Sequence, residues 1–534
     1  MSARELLNLK ESLMYSPNQT RPRASTCLLI LISSLLCTLA ACNNDTHAPT
    51  VRLSASDSSL DLRDPLILVF SESMDISSLL LGGMLASETD GGVWSATTYP
   101  NDTLTLTPIG GSWNGGATQT LTVDARDVSG NPVLTINKTY QVAPLAFNNF
   151  QAAEVVIGQA DFTGTNTNLY SAAGANTLAD SFGNPAVAPD GRLFIGDFSN
   201  DRVLAYAQVP TVSNTNASFV LGQQDFTSTA PGTGRGGHDG PQQVFISNGK
   251  MFVVDYHQRR VVIYNSIPAD GSALPDVVVG QPNFDSTSSG CNDRSFGYPE
   301  TASVTPDGKL VVTDGGNSRV LIWNSIPTTN GQPADLVLGQ SDFTHCAAND
   351  DNQDMASDAT PTARTLRFPG GSWTDGTRLA ILDSSNSRVL IWNTFPTTSF
   401  QPADLVLGQG DFNHGTRNDD NQDGAADATP TNRTLNGPYA GVDFNGTQLA
   451  VTDASNNRVL IWNTFPTTNF QPADIVLGQS DFTHGASADD NQDNTADATT
   501  SARALDFPSG VLFYRDGLLV TDGFNYRILI FRSN

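Results

Sequence analysis

Three loops of this chain carry oxygen-bearing side chains at a spacing that suits a bound cation. In the middle loop these side chains occupy positions 1, 3, 5 and 9 and are Asp419, Asn421, Asp423 and Asp427. The two sister loops repeat the spacing with Asp350, Asn352, Asp354 and Asp358, and with Asp489, Asn491, Asp493 and Asp497. Such spacing winds carboxylate and amide oxygens around one point, as Ca²⁺ requires. The sequence therefore predicts three calcium sites.

The three loops resemble the Asp-rich calcium loops of the EF-hand and thrombospondin type, with two departures. Glycine stands at position 6 only in the middle loop, as Gly424, and is replaced by Met355 and Asn494 in the others. The acidic residue at position 12 is missing from all three. Without that bidentate ligand we expect weak binding, in the roughly millimolar to sub-millimolar range. The alternative is that these are solvated loops whose side chains hydrogen-bond their own turns.

These loops belong to a unit that the chain repeats six times. Each unit ends in a Gly-Gln step, and the glycines of these steps are Gly158, Gly222, Gly280, Gly339, Gly408 and Gly478. A regular period of this size indicates a repeat architecture. Each full unit contains four short apolar runs separated by turn residues; in the fifth unit they are 439–443, 448–452, 458–462 and 474–478. Four strands per unit, repeated radially, predict a β-propeller.

The phase of the repeat predicts how the ring closes. Residues 154–158 supply a fourth strand that has no first three before it, whereas residues 510–531 supply three strands without a fourth. Together the two fragments complete one blade, so the sequence predicts six blades over residues 145–534. Closure of this kind leaves no long unpaired strand edge.

An Asp-x-x-Asn-x-Arg motif also recurs six times, with Gln258 replacing asparagine once. Its copies are Asp197/Asn200/Arg202, Asp255/Gln258/Arg260, Asp314/Asn317/Arg319, Asp383/Asn386/Arg388, Asp453/Asn456/Arg458 and Asp522/Asn525/Arg527. The motif resembles the NHL repeat, a propeller family that carries it at the turn from second to third strand. Asparagine and aspartate suit a tight turn because they tolerate left-handed backbone and hydrogen-bond their neighbours.

The motif arginines allow two interpretations. A ring of six arginines could form a ligand-binding crown. We favour a structural role, because a motif present in every unit is most simply what holds the unit together, with aspartate and arginine paired across the turn.

An enzyme is the competing interpretation. His345, His414 and His484 lie in the three long loops, and the resemblance to NHL-like propellers includes lyases, in which converging histidines could hold a zinc ion and activate water. Such enzymes gather polar residues from first-strand ends at the axis. Here the corresponding segments 186–188 (Ala-Val-Ala), 244–246 (Val-Phe-Ile) and 302–304 (Ala-Ser-Val) offer no such group of acidic, amide or histidine side chains. We therefore expect no catalytic residues.

The amino-terminal residues 1–41 resemble a bacterial lipoprotein signal peptide. A basic stretch precedes an apolar run that ends in Leu39-Ala40-Ala41-Cys42, and Met14 is a second candidate for the start. The resemblance implies cleavage before Cys42 and lipidation of that residue, with residues 42–50 as a tether. Because Asn43 follows the cysteine, it also favours the outer membrane. The alternative is a cleaved signal without lipid.

The charge of the chain excludes two classes of binding partner. The net charge of −26 repels phosphate backbones, so we expect no nucleic acid and no membrane contact other than the lipid anchor.

Cys291 and Cys346 occupy equivalent loops of successive units and could form a disulfide in an oxidising compartment. Two separate thiols are the alternative.

Residues 51–144 differ from the repeat and resemble a bacterial Ig-like domain. They contain β-rich runs at 66–70, 103–107 and 119–123, and their length suits a sandwich of that class. The chain is thus expected to be all-β, with an Ig-like β-sandwich before a six-bladed NHL-type propeller. The favoured function is that of an exported, lipid-anchored, non-catalytic binding protein of the cell envelope, which holds a protein or glycan on one propeller face. The alternative is a metal-dependent lyase or lactone hydrolase.

Overall fold

The computed structural model describes residues 45–55, 57–89, 91–170 and 172–534. The predicted signal peptide and the lipidation site Cys42 lie outside the described residues. Among the described residues, no helix has the length and apolarity needed to cross a bilayer.

The first described domain is a β-sandwich of two four-stranded sheets, with strand orders β1-β3-β6-β5 and β2-β8-β7-β4. Alternation in β3 turns Leu66, Leu68 and Phe70 into the core, as its period of two requires. Trp113 is fully buried there, and its Nε1 donates to the Asp64 carbonyl at 2.9 Å. The strands are β1 (Val51–Leu53), β2 (Ser59–Leu60), β3 (Leu66–Phe70), β4 (Met74–Gly82), β5 (Val93–Ser95), β6 (Thr103–Leu106), β7 (Thr118–Asp127) and β8 (Ile136–Val142).

Six further four-stranded sheets follow in the described part of the chain, and we number them by chain order. Sheet 1 comprises β10 (Ala186–Val187), β11 (Leu193–Asp197), β12 (Arg202–Tyr206) and β13 (Phe219–Leu221). Sheet 2 comprises β14 (Pro241–Ser247), β15 (Lys250–Asp255), β16 (Arg260–Tyr264) and β17 (Val277–Val279). Sheet 3 comprises β18 (Pro299–Val304), β19 (Leu310–Asp314), β20 (Arg319–Trp323) and β21 (Leu336–Leu338).

The remaining three sheets have the same antiparallel order. Sheet 4 comprises β22 (Pro369–Thr374), β23 (Leu379–Asp383), β24 (Arg388–Trp392) and β25 (Leu405–Leu407). Sheet 5 comprises β26 (Val442–Phe444), β27 (Leu449–Asp453), β28 (Arg458–Trp462) and β29 (Ile475–Leu477). Sheet 6 comprises β30 (Pro508–Tyr514), β31 (Gly517–Asp522), β32 (Arg527–Arg532) and, from the beginning of the repeat region, β9 (Val155–Ile157).

The six sheets form a closed ring, which is a β-propeller. Successive sheets contact each other through their first strands, and sheet 6 returns to sheet 1 where the Val511 amide donates to Asn184 Oδ1 at 2.8 Å. The strand expected to close the ring does so, since β9 pairs antiparallel with β32 and places Ile157 opposite Ile528. Apolar side chains packed between neighbouring sheets form the core. The ring leaves only short strand edges at its rim.

The expected start of the first strand in the fifth unit is wrong by three residues. The sequence predicts a start at Tyr439, whereas the strand begins at Val442. Ala440 has a φ of 55°, and the Gly441 amide donates to the Tyr439 carbonyl at 2.6 Å, so the chain turns tightly here. This turn lifts Tyr439 out of the sheet and directs its side chain towards the ring axis.

The six motif arginines are fully buried and hold neighbouring loops together. In each unit the Nε atom donates to the motif aspartate at 2.6 to 2.9 Å. Arg388 shows the rest of the pattern: Nη1 donates to the Phe412 carbonyl in the following loop, and Nη2 donates to the Thr362 and Thr365 carbonyls in the preceding one. Each arginine therefore ties two successive loops to one sheet and offers no surface to a ligand.

The motif asparagines differ from the expectation in their backbone. Five copies of the motif form one turn of 3₁₀ helix that ends at the asparagine, and the left-handed residue is the one after it. The helices are Phe198–Asn200, Gly315–Asn317, Ser384–Asn386, Ala454–Asn456 and Gly523–Asn525. The residues that follow are Asp201, Ser318, Ser387, Asn457 and Tyr526, with φ between 49° and 53°. Tolerance of left-handed backbone therefore does not explain the asparagine.

The side chain explains the asparagine instead. All five asparagines are buried. Their Nδ2 atoms donate to Oδ2 of the motif aspartate at 2.7 to 2.9 Å; the pairs are Asn200 with Asp197, Asn317 with Asp314, Asn386 with Asp383, Asn456 with Asp453 and Asn525 with Asp522. The same oxygen accepts from the motif arginine, so the asparagine shares in satisfying a buried carboxylate. Gln258, which is longer by one methylene, donates to the Gly232 carbonyl.

A disulfide joins Cys291 to Cys346, with a Cα–Cα distance of 6.4 Å. The two residues lie in the loops that leave sheets 2 and 3, so the bridge links successive units on the face that carries the motif turns. Of the two alternatives for these cysteines, the structure contains the bridged one.

The sandwich contacts the opposite face of the propeller. Arg63 Nη2 donates to Asp516 Oδ2 at 3.1 Å, Arg515 Nη1 donates to the Ser112 carbonyl at 3.1 Å, and Thr447 Oγ1 donates to the Gly116 carbonyl at 2.6 Å. The propeller residues in these bonds lie in the turns between the first and second strands of sheets 5 and 6. Within the described residues, these contacts leave the face that carries the acidic loops and the motif turns, here called the open face, free of the sandwich.

Candidate functional site

Polar side chains from three units meet on the ring axis. Gln242 comes from sheet 2, Glu300 from sheet 3 and Tyr439 from the loop before β26 of sheet 5. The Tyr439 hydroxyl donates to Glu300 Oε2 at 2.8 Å, and Gln242 Nε2 lies 2.5 Å from the same oxygen and 2.9 Å from the Tyr439 hydroxyl. Because sheets 2 and 5 stand three places apart in the ring, this axial cluster spans the axis and closes it.

The first strands were not expected to place functional side chains at the axis, and this expectation is wrong. The register of β14 shifts between Pro241 and Gln243, and that of β18 shifts between Pro299 and Ala302, so Gln242 and Glu300 lie in β-bulges. A bulge adds an unpaired residue and re-aims its side chain. The sequence feature that could have predicted the cluster is the polar residue directly after each proline that opens a first strand, namely Gln242 after Pro241 and Glu300 after Pro299.

Burial dominates the electrostatics of the cluster. It raises the pKa of Glu300 to about 7, although the hydrogen bonds from Tyr439 and Gln242 oppose the shift. Burial, together with the neighbouring Glu300 carboxylate, raises the pKa of Tyr439 well above its usual value. Glu300 Oε1 has no hydrogen-bond partner among the residues that the structure describes. The axial carboxyl can therefore change its protonation state near neutral pH while the tyrosine stays neutral.

A cavity of about 170 Å³ lies on the axis, and the first strands of all six sheets contribute to its lining. Ser303 Oγ and Ser372 Oγ are 3.0 Å apart across its wall. Asp443 Oδ2 accepts a hydrogen bond from the Phe513 amide at 2.7 Å, and burial raises the pKa of Asp443 to about 6. The cavity thus carries polar groups among a largely apolar lining.

An arc of aromatic rings lies on the open face around the axis. We call it the aromatic crown, and its members are Tyr298, Tyr256, Phe198, Phe182, Phe524, Phe507 and Tyr439. Tyr256 stacks on Tyr298 with centroids 4.8 Å apart, and Phe507 stacks on Phe524 at 4.7 Å. Phe182 joins the two halves through edge contacts with Phe198 at 5.3 Å and Phe524 at 6.4 Å.

The crown rings are half-buried or exposed, and Phe524 is 47% exposed. Phe198, Tyr256 and Phe524 occupy the two variable positions between aspartate and asparagine of the motif, whereas Tyr298 and Phe507 directly precede the proline that opens a first strand. The constant positions of the motif do not predict this surface. The variable positions carried the signal for an open, ligand-accessible surface.

The acidic loops fold in one way in all three copies. In the first, the Asp350 carboxylate accepts hydrogen bonds from the amides of Asp354 and Met355 at 3.0 and 2.9 Å, and Asn352 Oδ1 accepts from the Asp354 amide at 2.9 Å. The same bonds recur around Asp419 and Asp489. Reciprocal amide bonds fix the first two loops to the motif turns, between Asn349 and Asn386 and between Asn418 and Asn456.

Calcium binding at these loops stays a prediction. Asn352 and Asp354 are exposed and Asp358 is half-buried, so their oxygens are open to an ion. Within the described residues, the only trio of Asp, Glu, His or Cys side chains with ligand atoms within 4.8 Å of one another is Asp45, Glu72 and Asp127 in the sandwich region.

The three loop histidines do not converge. The Nδ1 atoms of His345, His414 and His484 each lie 2.8 Å from an aspartate three residues earlier in the same loop. That hydrogen bond raises the pKa of His345 above its ordinary value. Each histidine therefore serves the local fold of its own loop.

Residues 296–323 match the family model of the NHL repeat. They run from the end of one connecting loop through β18, β19 and the motif to the end of β20. The match is to one unit of the six. No curated protein resembles the chain closely enough to count as a match.

Several solved structures share a similar arrangement of strands at low sequence identity. A candidate phosphatase from Bacteroides thetaiotaomicron is 13% identical over 91% of this chain and 97% of its own, with a TM-score of 0.39. A catalytically inactive virginiamycin B lyase from Staphylococcus aureus, solved with quinupristin, is 11% identical over 85% of this chain and 100% of its own, with a TM-score of 0.32. A chain of the nidogen/laminin complex is 15% identical over 56% and 84%, with a TM-score of 0.30. Likenesses this weak assign no activity.

The axial carboxyl predicts a pH dependence of stability. Glu300 has an ordinary pKa of 4.5, raised by burial to about 7, so between these values the folded protein retains a proton that the unfolded chain has released. Stability is therefore lost as pH rises through this window, by about 3 kcal/mol in total. Glu300→Gln cannot ionise and keeps an oxygen for Tyr439. Its free energy of unfolding, measured by denaturant titration, is expected to rise relative to wild type between pH 4.5 and 8.

The exposed Glu154 supplies a matched control. Glu154→Gln is expected to differ from wild type by a constant amount across the same pH range. A Glu300→Gln difference that is equally constant would contradict the role assigned to burial at the axis.

Proposed function

We propose that this protein binds a glycan across the aromatic crown, as an exported, non-catalytic binding protein of the bacterial cell envelope. In this proposal its six sheets are the blades of an NHL-type propeller, and residues 51–144 are an Ig-like domain that supports the propeller from the opposite face. The observation that carries it is the crown itself: seven rings from five sheets, arranged around one axis on the face that the sandwich leaves open.

The chemistry of the crown suits sugar rings. An aromatic face carries partial negative charge, so it attracts the weakly positive C–H groups on the flat side of a pyranose. Polar groups border the rings: the Tyr298 hydroxyl lies 3.1 Å from Arg259 Nη2, and the exposed His257 packs 5.1 Å from Phe198. A largely apolar lining with a few oriented polar groups is typical of small-ligand sites.

The binding role is tested by removing crown rings. Phe524→Ala and Tyr256→Ala are each expected to weaken oligosaccharide binding, because a stacked ring contributes about 0.5–1.5 kcal/mol, or roughly two- to tenfold in affinity. Isothermal titration calorimetry with neutral and charged oligosaccharides measures the effect. Tyr99→Ala is the control, since Tyr99 is an exposed aromatic residue of the sandwich at 46% exposure.

Two results would contradict glycan binding. One is the absence of binding to every oligosaccharide class tested, while envelope proteins are captured in a crown-dependent way. The other is equal affinity of wild type and both crown variants.

An enzyme remains the second candidate because of Glu300, whose pKa of about 7 suits general acid–base chemistry. Against it, Glu300 is fully buried beneath Tyr439 and exposes no oxygen to a substrate in the crown. Among the described residues, the axis also lacks a trio of metal-ligating side chains. Cleavage of a bound oligosaccharide by wild type, lost in Glu300→Gln, would favour the enzyme.

We also propose that a lipid on Cys42 anchors the protein to the outer membrane. The support is the apolar run and the Leu39-Ala40-Ala41-Cys42 sequence. Cys42→Ser is expected to move the protein from the membrane fraction to the soluble fraction of bacterial cells and to abolish labelling by a radioactive fatty acid. Unchanged fractionation and labelling would exclude Cys42 as the anchor.

Calcium is proposed as a weakly bound ion of the three acidic loops. The shared loop fold and the exposed oxygens at positions 3 and 5 support it. Millimolar calcium is expected to raise the melting temperature and EDTA to lower it, whereas Asp354→Asn, Asp423→Asn and Asp493→Asn together should remove the response. Magnesium at equal concentration controls for ionic strength, and a melting temperature insensitive to calcium would count against the sites.

A further inference from the structure

We infer that the ligand carries a negatively charged sugar and that this sugar sits in a cleft beside the crown, between sheets 4 and 5. This rests on the proposed glycan-binding function and specifies the class of glycan. The anionic group is a carboxylate or a sulfate, since both present oxygens that match a guanidinium group.

The cleft is continuous with the crown. It encloses about 590 Å³, and Tyr439 and Phe507, which end the arc, also line it. Sheet 4 is the sheet that contributes no ring to the arc, and Phe368 continues the aromatic surface into the cleft from that side. A chain of sugars that packs on the crown can therefore extend into this cleft without leaving the protein surface.

Two arginines give the cleft a positive charge. Arg367 and Arg417 both line it and are exposed, and none of the described residues that line it carries a carboxylate. Within the described part of the chain, neither guanidinium group takes part in a hydrogen bond or an ion pair. The protein as a whole has a net charge of −26, so its surface potential is mostly negative. Two unpaired arginines make the potential positive in this one cleft.

Comparison of the repeated units shows that the propeller fold does not need either arginine. The Arg367 amide donates to the motif aspartate Asp383 at 2.7 Å. In the other five units the same backbone bond comes from residues that are not basic, namely Ala179, Asp239, Gly297, Asn436 and Asp506. Arg417 occupies a position that is Ala348 and Ser487 in the sister loops.

A buried hydroxyl faces the same cleft. Ser384 is 6% exposed and lines the cleft, and its Oγ has no hydrogen-bond partner in the described part of the protein. It follows the motif aspartate directly, the position at which sheets 1 and 2 carry the crown residues Phe198 and Tyr256. A buried hydroxyl without a partner costs free energy unless a ligand or water completes its bonding. A sugar hydroxyl or an anionic oxygen meets that requirement.

The features together describe an anion site built for a sugar. Two guanidinium groups supply forked donors, Ser384 and Asn436 supply neutral polar groups, and Tyr439 and Phe507 supply flat apolar faces.

The test compares ligands that differ only in charge. The probes are an oligosaccharide of uronic acids, its methyl ester, a sulfated oligosaccharide and a neutral oligosaccharide, each titrated calorimetrically into the protein at low and at high salt. Wild type is expected to bind the uronate or the sulfated probe roughly 10- to 100-fold more tightly than the uncharged probes, because hydrogen bonds to charged groups are the strong ones. The preference should shrink at the higher salt.

The variant Arg367→Gln/Arg417→Gln is expected to lose this preference while binding the methyl ester as wild type does. Arg364→Gln/Arg433→Gln removes the same charge from the same two loops outside the cleft; there Arg433 packs over Phe470 at 5.3 Å. This control should keep the preference. Unchanged melting temperatures show that both double variants are folded.

The outcomes separate the two proposals. Two results would overturn the anion site and leave crown binding in place. One is that wild type binds the methyl ester, the uronate and the sulfated probe with equal affinity. The other is that both double variants lose the preference for charged probes to the same extent. Binding of no oligosaccharide at all would overturn crown binding and the anion site with it. A preference for the sulfated probe over the uronate supports the site and identifies its anion as a sulfate.

Discussion

The buried pair between aspartate and arginine in each unit is the interaction on which the propeller depends. Taking a guanidinium group fully out of water costs several kcal/mol unless its donors are satisfied. Here every motif arginine bonds an aspartate of its own sheet and carbonyls of neighbouring loops, as Arg388 shows. Removal of either partner leaves an uncompensated buried charge, so the pair locks each sheet to its neighbours rather than adding net stability by itself.

The structural role of the constant motif residues determines which positions can contact a ligand. The constant aspartate, asparagine and arginine point inwards and hold the loops, so the two residues between aspartate and asparagine are free to vary on the open face. In sheets 1, 2 and 6 they supply Phe198, Tyr256 and Phe524 to the crown. In sheet 4 they are two serines, and the crown gives way to the cleft that Arg367 and Arg417 line.

The two faces of the ring have different roles. The sandwich occupies the turns between first and second strands of sheets 5 and 6, through Arg63, Arg515 and Thr447. The axial cluster of Gln242, Glu300 and Tyr439 lies across the ring axis beneath the crown. A protonation change at Glu300 near neutral pH would alter the charge directly below Tyr439, which belongs to both the crown and the cluster.

The sequence alone determined the features that depend on the period of the repeat: the motif, most strand runs and the pairing of β9 with β32 follow from units in phase. It did not determine the start of β26, because the neighbouring sequence gives no indication of the positive φ of Ala440.

Only the tertiary structure decided which residues meet at the axis. Gln242 and Glu300 are separated by 58 residues, and Glu300 and Tyr439 by 139, so their contact exists only once the ring has closed. Bulges aim the first two inwards, and a bulge is a property of strand pairing that a single strand does not reveal. The crown and the cleft arise in the same way, since curvature of the ring brings residues that are ordinary in each unit onto one surface.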